Sequence, residues 1–179
     1  MKMNLQLFAE AAKPVQGKKI VYLYRLLSDA KTAAASNMAF VKENARTKSK
    51  DADTTTTKDG TLRVPGAVET EITATSLIKV GDPLINKLED AMDTDELIEI
   101  WEANLEDPAA GVGVGTKFKG MYFQGYITEL EISSDSEDYA EVSMTFAING
   151  SGKRGEVTVT AEQQELADYV FKDTVKEGE

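Results

Sequence analysis

FKGMYFQGYITELEISSDSEDYAEVSMTFAIN, residues 118–149, decides the fold. At the end of its first run, Leu130 and Ile132 alternate with Glu129 and Glu131. In its second run, Val142, Met144, Phe146 and Ile148 alternate with Glu141, Ser143, Thr145 and Ala147. A period of two belongs to a strand with one buried face, and two such runs joined by the polar turn Ser133 to Asp138 predict an antiparallel hairpin. Gly120 and Gly125 interrupt the first run and predict bulges or kinks in it.

Toward the C-terminus, Asn149 to Gly152 reads as a second turn and Gly155 to Thr160 as another strand. Thr160 with Gln163 is spaced to cap a short helix running to Val170. The acidic end, residues 172–179, reads as a tail. Toward the N-terminus, the connection PAAGVGVG (residues 108–115) matches neither phosphate-binding glycine pattern, which argues against nucleotide binding. LIEIWEANL (97–105) is ambiguous. Leu97, Trp101 and Leu105, with Asp93 and Glu96 as a capping pair, fit a helix; Ile98 and Ile100 around Glu99 fit an edge strand. Asp82 as N-cap and Pro83 in the first helical position start a helix whose face carries Leu84, Leu88 and either Ala91 or Met92, stopping at Asp93-Thr94.

Before that helix, Thr61 to Val64 reads as a short strand broken at Pro65-Gly66, and Ala67 to Ile78 as a long one. KKIVYLYRLL (18–27) is aromatic and β-branched, as expected of a strand buried on most sides. The alanine-rich Lys31 to Val41 fits a helical turn or an irregular link. Lys42 to Gly60, KENARTKSKDADTTTTKDG, has no apolar residue larger than alanine. Such a segment cannot offset the entropy of its own ordering by burial, so it reads as a long insertion. It is either a loose surface loop or an arm that orders against a neighbouring copy. Beyond Lys42 and Glu43, its charged residues are Arg46, Lys48, Lys50 and Lys58 against Asp51, Asp53 and Asp59.

The sum is mainly β, an antiparallel β-sandwich or barrel with one flanking α-helix and one long extended loop. Residues 1–17 form an N-terminal arm, 18–171 a single domain, and 172–179 the tail. Cysteine and histidine are both absent from the 179 residues, which removes disulfides, thiolate nucleophiles, imidazole ligands and histidine acid–base catalysis. No cofactor, metal or catalytic residue is expected. A carboxylate hydrolase built on Asp135 and Glu137 is disfavoured, because those residues lie in a polar turn. The net charge of −11 repels nucleic acid and argues against specific DNA binding. No apolar run is long enough to cross a bilayer.

The polar faces of the long strands carry Glu69, Glu71, Thr73 and Thr75; Glu129, Glu131 and Ser133; and Glu141, Ser143, Thr145 and Asn149. They are acidic or hydroxylic and poor in lysine, whereas a solvated sheet ordinarily mixes both charges. Two readings stand: an ordinary wet face, or a smooth anionic surface past which a polyanion slides.

KGMYFQGYITELEI (119–132), FAINGSGKRGEVTVT (146–160), RVPGAVETEITATS (63–76) and GDPLINKLEDAMD (81–93) together resemble the major tail (tail tube) protein of long, non-contractile-tailed phages, siphoviruses infecting Gram-positive bacteria. The opening MKMNLQLFAE resembles the start of other phage virion proteins. The resemblance spans residues 18 to 174. It implies a strand at LIEIW, and a β-sandwich subunit whose homo-hexameric rings merge their inner sheets into a barrel and stack into a tube. It implies that Lys42 to Gly60 is the inter-ring loop, and that DNA crosses the channel without specific binding. With it, Glu69, Glu71, Glu129, Glu131 and Glu141 are expected to face an acidic lumen. The partners implied are further copies of the chain, a tape measure protein and other tail proteins. The location implied is the virion tail, after assembly in the host cytoplasm. The alternative is a β-sandwich binding or decoration module on a virion or cell surface.

Overall fold

A computed structural model of the chain describes residues 13–109 and 117–167. Residues 1–12 of the expected arm, most of the glycine-rich connection, and the tail lie outside that range. Seven strands form one continuous antiparallel network: β1 (Ile20–Leu26), β2 (Val41–Thr57), β3 (Gly60–Leu77), β4 (Ile98–Pro108), β5 (Lys117–Ser133), β6 (Glu141–Ile148) and β7 (Lys153–Thr158). The spatial order is β1-β4-β5-β6-β3-β2, with β7 also on β5. LIEIW is a strand, paired to β1 on one side and β5 on the other.

β5 belongs to both halves of the network. Gly125 pairs with Ile98 on one side and Ile148 on the other, while Gly120 lies between Ala103 and Gly155. β6 and β7 therefore follow each other along one edge of β5, and β4 holds the opposite edge. Neither glycine is itself a bulge. A Cβ on Gly120 would lie 2.1 Å from the Glu102 carbonyl oxygen, and one on Gly125 would lie 2.3 Å from that of Ala147. Both are close backbone crossings that admit no side chain. One register shift flanks Gly120 on the β4 side, between Ala103 and Pro108, and another falls further along β5, between Ile127 and Glu129.

The two halves pack face to face. Ile72 and Ala74 of β3, with Val142, Met144 and Phe146 of β6, meet Tyr22 and Tyr24 of β1, Ile98 and Ile100 of β4, and Phe123 of β5. The Tyr24 and Phe146 rings stack with centroids 5.3 Å apart. The helix α1 (Pro83–Asp93) closes one side with Leu84, Ile85, Leu88 and Ala91. Its start is the expected one, with Asp82 Oδ1 accepting the Leu84 N–H at 3.0 Å. A second cluster, Val21, Leu23, Ala103, Phe118, Val157 and Val159, fills the far face of the β1-β4-β5-β7 half. The short helix α2 (Ala161–Ala167) carries the expected reciprocal cap between Thr160 and Gln163. Lys31 to Val41 contains one closing turn and then an irregular link that touches β1 at Ser36.

Two expectations are overturned. Lys42 to Gly60 is not an irregular insertion, because strand β2 occupies it as far as Thr57. Its pairing with β3 runs from Val41↔Ser76 to Thr57↔Gly60. Backbone pairing with β3 and threonine's β-preference set its conformation where apolar burial is absent. Nor does β3 break at Pro65-Gly66. Lys50 pairs with Val68 and Ala52 with Pro65, so β3 takes three steps where β2 takes two. The strand absorbs this as a bulge at residues 66–67.

Candidate functional site

The registers lay the predicted acids on one sheet face. Across β2, β3, β6 and β5, one row reads Ala45, Thr73, Thr145 and Glu129, and the next reads Glu43, Thr75, Ser143 and Glu131. Glu71 lies opposite Thr47 and Ala147, Glu69 opposite Ser49, and Glu141 opposite Leu77 and Ser133. The opposite parity of β3 and β6 is the core face. Glu69, Glu71, Glu129 and Glu131 are exposed. Glu141 is half-buried and bonded to Lys42, whose pKa is raised by that bond. Among the described residues the other four carry no ion pair. The face is thus smooth: short hydroxyls between unpaired carboxylates.

Glu43 and Tyr126 belong to this face and escaped the reading of strand polarity. The signal for Glu43 is a period of two in charge. Even positions 42 to 50 are Lys, Asn, Arg, Lys and Lys, while odd positions 43 to 51 are Glu, Ala, Thr, Ser and Asp. Asn44, Arg46 and Lys48 of the even set turn toward the core side. There Arg46 Nε donates to Glu102 Oε2 at 2.7 Å, its guanidinium sits 5.7 Å from the Phe123 ring, and Glu102 also accepts the Tyr22 hydroxyl at 2.7 Å. Asn44 Oδ1 accepts from the Tyr24 hydroxyl, and Lys48 Nζ donates to the Ser151 carbonyl. Arg46 and Lys48 are therefore not paired with Asp51, Asp53 or Asp59; they pin the root of β2 to its own subunit. The cause is the strand itself, which carries both side chains across the edge of the core.

Beyond that root the hairpin projects. β3 pairs with β6 only as far as Thr70↔Ile148, and every residue from 50 to 69 is exposed. Ten residues separate Thr70 from the turn at Gly60, an arm of about 33 Å at the usual strand rise. Lys50, Asp51, Asp53, Lys58 and Asp59 lie on it.

A second carboxylate site is structural. Glu99 is 6% exposed, bound by Arg25 at 2.7 and 2.8 Å and by the Tyr122 hydroxyl at 2.7 Å. Burial and that bond raise the Tyr122 pKa. Asp135 and Glu137 are exposed, and Asp135 accepts the Glu137 N–H within its turn. Among the described residues no cluster of acids is arranged to hold a metal ion, and no helix is long and apolar enough to cross a membrane.

Comparison with known proteins bears on this geometry. The family model described as phage tail tube protein matches residues 14–154. A putative tail protein of Staphylococcus phage phiMR25 is 31% identical over 145 residues, covering 79% of this chain and 75% of that protein. The tail tube protein gp17.1* of Bacillus phage SPP1 is 23% identical over 150 residues, covering 84% of this chain and 55% of its own length. Thus the chain spans about half of that relative. Among solved structures, the SPP1 tail tube superposes with a TM-score of 0.66 at 22% identity, covering 92% of this chain and 96% of that one. The tail of an empty gene transfer agent particle, refined with C6 symmetry, gives 0.58 at 12% identity, covering 78% and 98%. A strand-dominated subunit with a projecting hairpin, matched over most of its length by that family model, belongs to the phage tail tube proteins.

Proposed function

We propose that the chain closes into hexameric rings that stack into a phage tail tube, with the acidic sheet face lining a channel that conducts DNA. The observation that carries this reading is the face itself. Four unpaired carboxylates sit among hydroxyls on a sheet whose two outer edges, β2 and the 126–133 part of β5, have no partner strand among the described residues. Pairing the β2 edge of one copy with the β5 edge of the next removes both edges and closes a barrel. Its lumen would be lined by Glu43, Glu69, Glu71, Glu129 and Glu131, with Glu141 partly neutralised by Lys42. A polyanion inside meets like charge from all directions, so no site retains it. Screening limits the repulsion to roughly 8 Å at physiological salt, so entry is not blocked. The arm, with Lys50, Asp51, Asp53, Lys58 and Asp59, reaches the adjacent ring. Partners are further copies, a tape measure protein within the tube, other tail proteins and DNA in transit. Assembly takes place in the host cytoplasm and the product resides in the virion tail.

The test is the double variant Glu69→Lys, Glu129→Lys, which adds rings of cations that bind phosphate and release counterions. Variant tubes are expected to form but to eject DNA slowly, and faster as salt rises. An unchanged, salt-independent ejection rate would take these residues out of the lumen or charge out of the mechanism.

A further inference from the structure

The subunit spends conformational energy on Phe40 without recovering it. Phe40 has φ 50° and is 65% exposed. A bulky residue in the left-handed region is strained, and a solvated phenyl ring adds no burial. The same end of the sheet carries further exposed apolar residues: Val41 at 40%, Val80 at 99%, Tyr139 at 78% and, on the outer strand of the row, Ile132 at 50% exposure. The bonds Leu77 N–H to the Phe40 carbonyl (3.2 Å) and Ile78 N–H to the Ala140 carbonyl (2.9 Å) gather these segments at one end of the sheet. Grouped exposure of this kind marks an interaction site.

The arm leaves the opposite end of the same strands. It carries the complementary apolar residues, Leu62 at 58% and Val64 at 49% exposure. The bulge at residues 66–67 determines which way they turn. Lys50↔Val68 and Ala52↔Pro65 share a face, so Val64 and Leu62 fall on the other face, that of Glu69 and Glu71. Without the bulge they would lie on Val68's side. Charge adds no match: Lys50, Lys58 and Arg63 on the arm are offset by Asp51, Asp53 and Asp59, and Asp53 shares the face of Val64 and Leu62. A cleft of about 690 Å³ opens beside Phe40 and Val41, with Met38 and Tyr22 in its wall.

We infer that the Phe40 end is the seat for Leu62 and Val64 of the arm of a second copy stacked end to end, so that an apolar plug anchors ring-to-ring contact. This inference rests on the tube reading above. A contact between opposite ends of one chain repeats along an axis without closing, as a stack requires.

The chain has no cysteine, so introduced thiols are unique. The double variant Phe40→Cys, Leu62→Cys, assembled and treated with a short bismaleimide, is expected to give a ladder of covalent multimers. Mixing the two single variants should give dimers and nothing larger. Rods without a ladder would overturn the seat. Phe40→Gly relieves the strained backbone, so the isolated subunit should keep or raise its Tm while the critical concentration for rods rises about tenfold or more. Wild-type assembly by Phe40→Gly would also overturn it. Raising salt from roughly 0.15 to 1 M should not lower the final yield of rods, because screening leaves apolar burial intact. Loss of the rods in salt would mean an ionic seam and no plug. If wild-type protein forms no rods, the tube reading itself fails. Rods that form but ignore Phe40 and Leu62 defeat only the seat.

Discussion

The strand β3 runs through two environments, and the contrast between them explains the design of the subunit. From Thr70 to Leu77 it lies between β2 and β6, with Thr70, Ile72, Ala74 and Ser76 buried and the alternate residues facing outward. From Gly60 to Glu69 it pairs with β2 alone and every residue is exposed. Hydrogen bonding along the hairpin is continuous across this boundary; desolvation is not. An isolated two-stranded ribbon is marginal in water. The body is therefore stabilised by its own core. The arm depends on whatever it meets.

The strongest way to break this contrast is to remove the arm alone. Replacing residues 50–67 by a short Gly/Ser turn keeps the β2 root in the sheet. It should leave the subunit's Tm unchanged and abolish rods in negative stain; long tubes from this variant would refute the arm's assembly role. Next in size is a matched pair of truncations followed by denaturant unfolding. Phe146→Ala, in the core against Tyr24, should cost about 3–5 kcal/mol. Leu62→Ala should stay within about 0.5 kcal/mol in the unassembled subunit. An equal loss would mean that the arm packs on its own body. Arg46 marks the border between the two regions. Arg46→Ala leaves Glu102 with Tyr22 as its remaining partner and should cost about 1–2 kcal/mol. The Arg46/Glu102 double-mutant cycle should show that the two losses do not add.

The smallest effect is a pH slope. Burial, and for Tyr22 also the bond to Glu102, raises the phenol pKa of Tyr22 and Tyr24 above the ordinary 10.0. The folded state thus holds these protons more tightly than the unfolded one. Their contribution is complete below pH 10 and declines as the pH rises above it. Tyr24→Phe should flatten the alkaline fall in Tm, and an unchanged slope would assign that fall to other groups.

What was legible in the sequence follows the same boundary. The period of two in residues 141–149 and the Asp82-Pro83 helix start announce elements whose burial is visible in single residues. So does the alternation of Glu69 and Glu71 with Thr70 and Ile72, which put the acids on one face before any register was known. β4 was ambiguous from its own residues, because Ile98, Ile100 and Trp101 satisfy either period; only family likeness favoured a strand. β2 was misread because its stability comes from pairing with a strand beyond its own turn. A count of apolar residues cannot register that, although the odd–even alternation of charge was present throughout. The bulge at residues 66–67 and the backbone strain at Phe40 have no local signature, so the facing of Leu62 and Val64 and the exposed Phe40 end could not be read from composition.

β5 has a mechanical consequence. It is hydrogen-bonded to β4 and β7 over its first half and to β6 over its second, with Gly120 and Gly125 at the crossings. A force applied along the acidic face runs down this one strand into the other half of the sandwich. It loads the rungs in shear, where they resist together, and does not peel them apart one at a time. In a bending tube, each subunit would then deform as a stiff block and the give would collect at the joints between blocks.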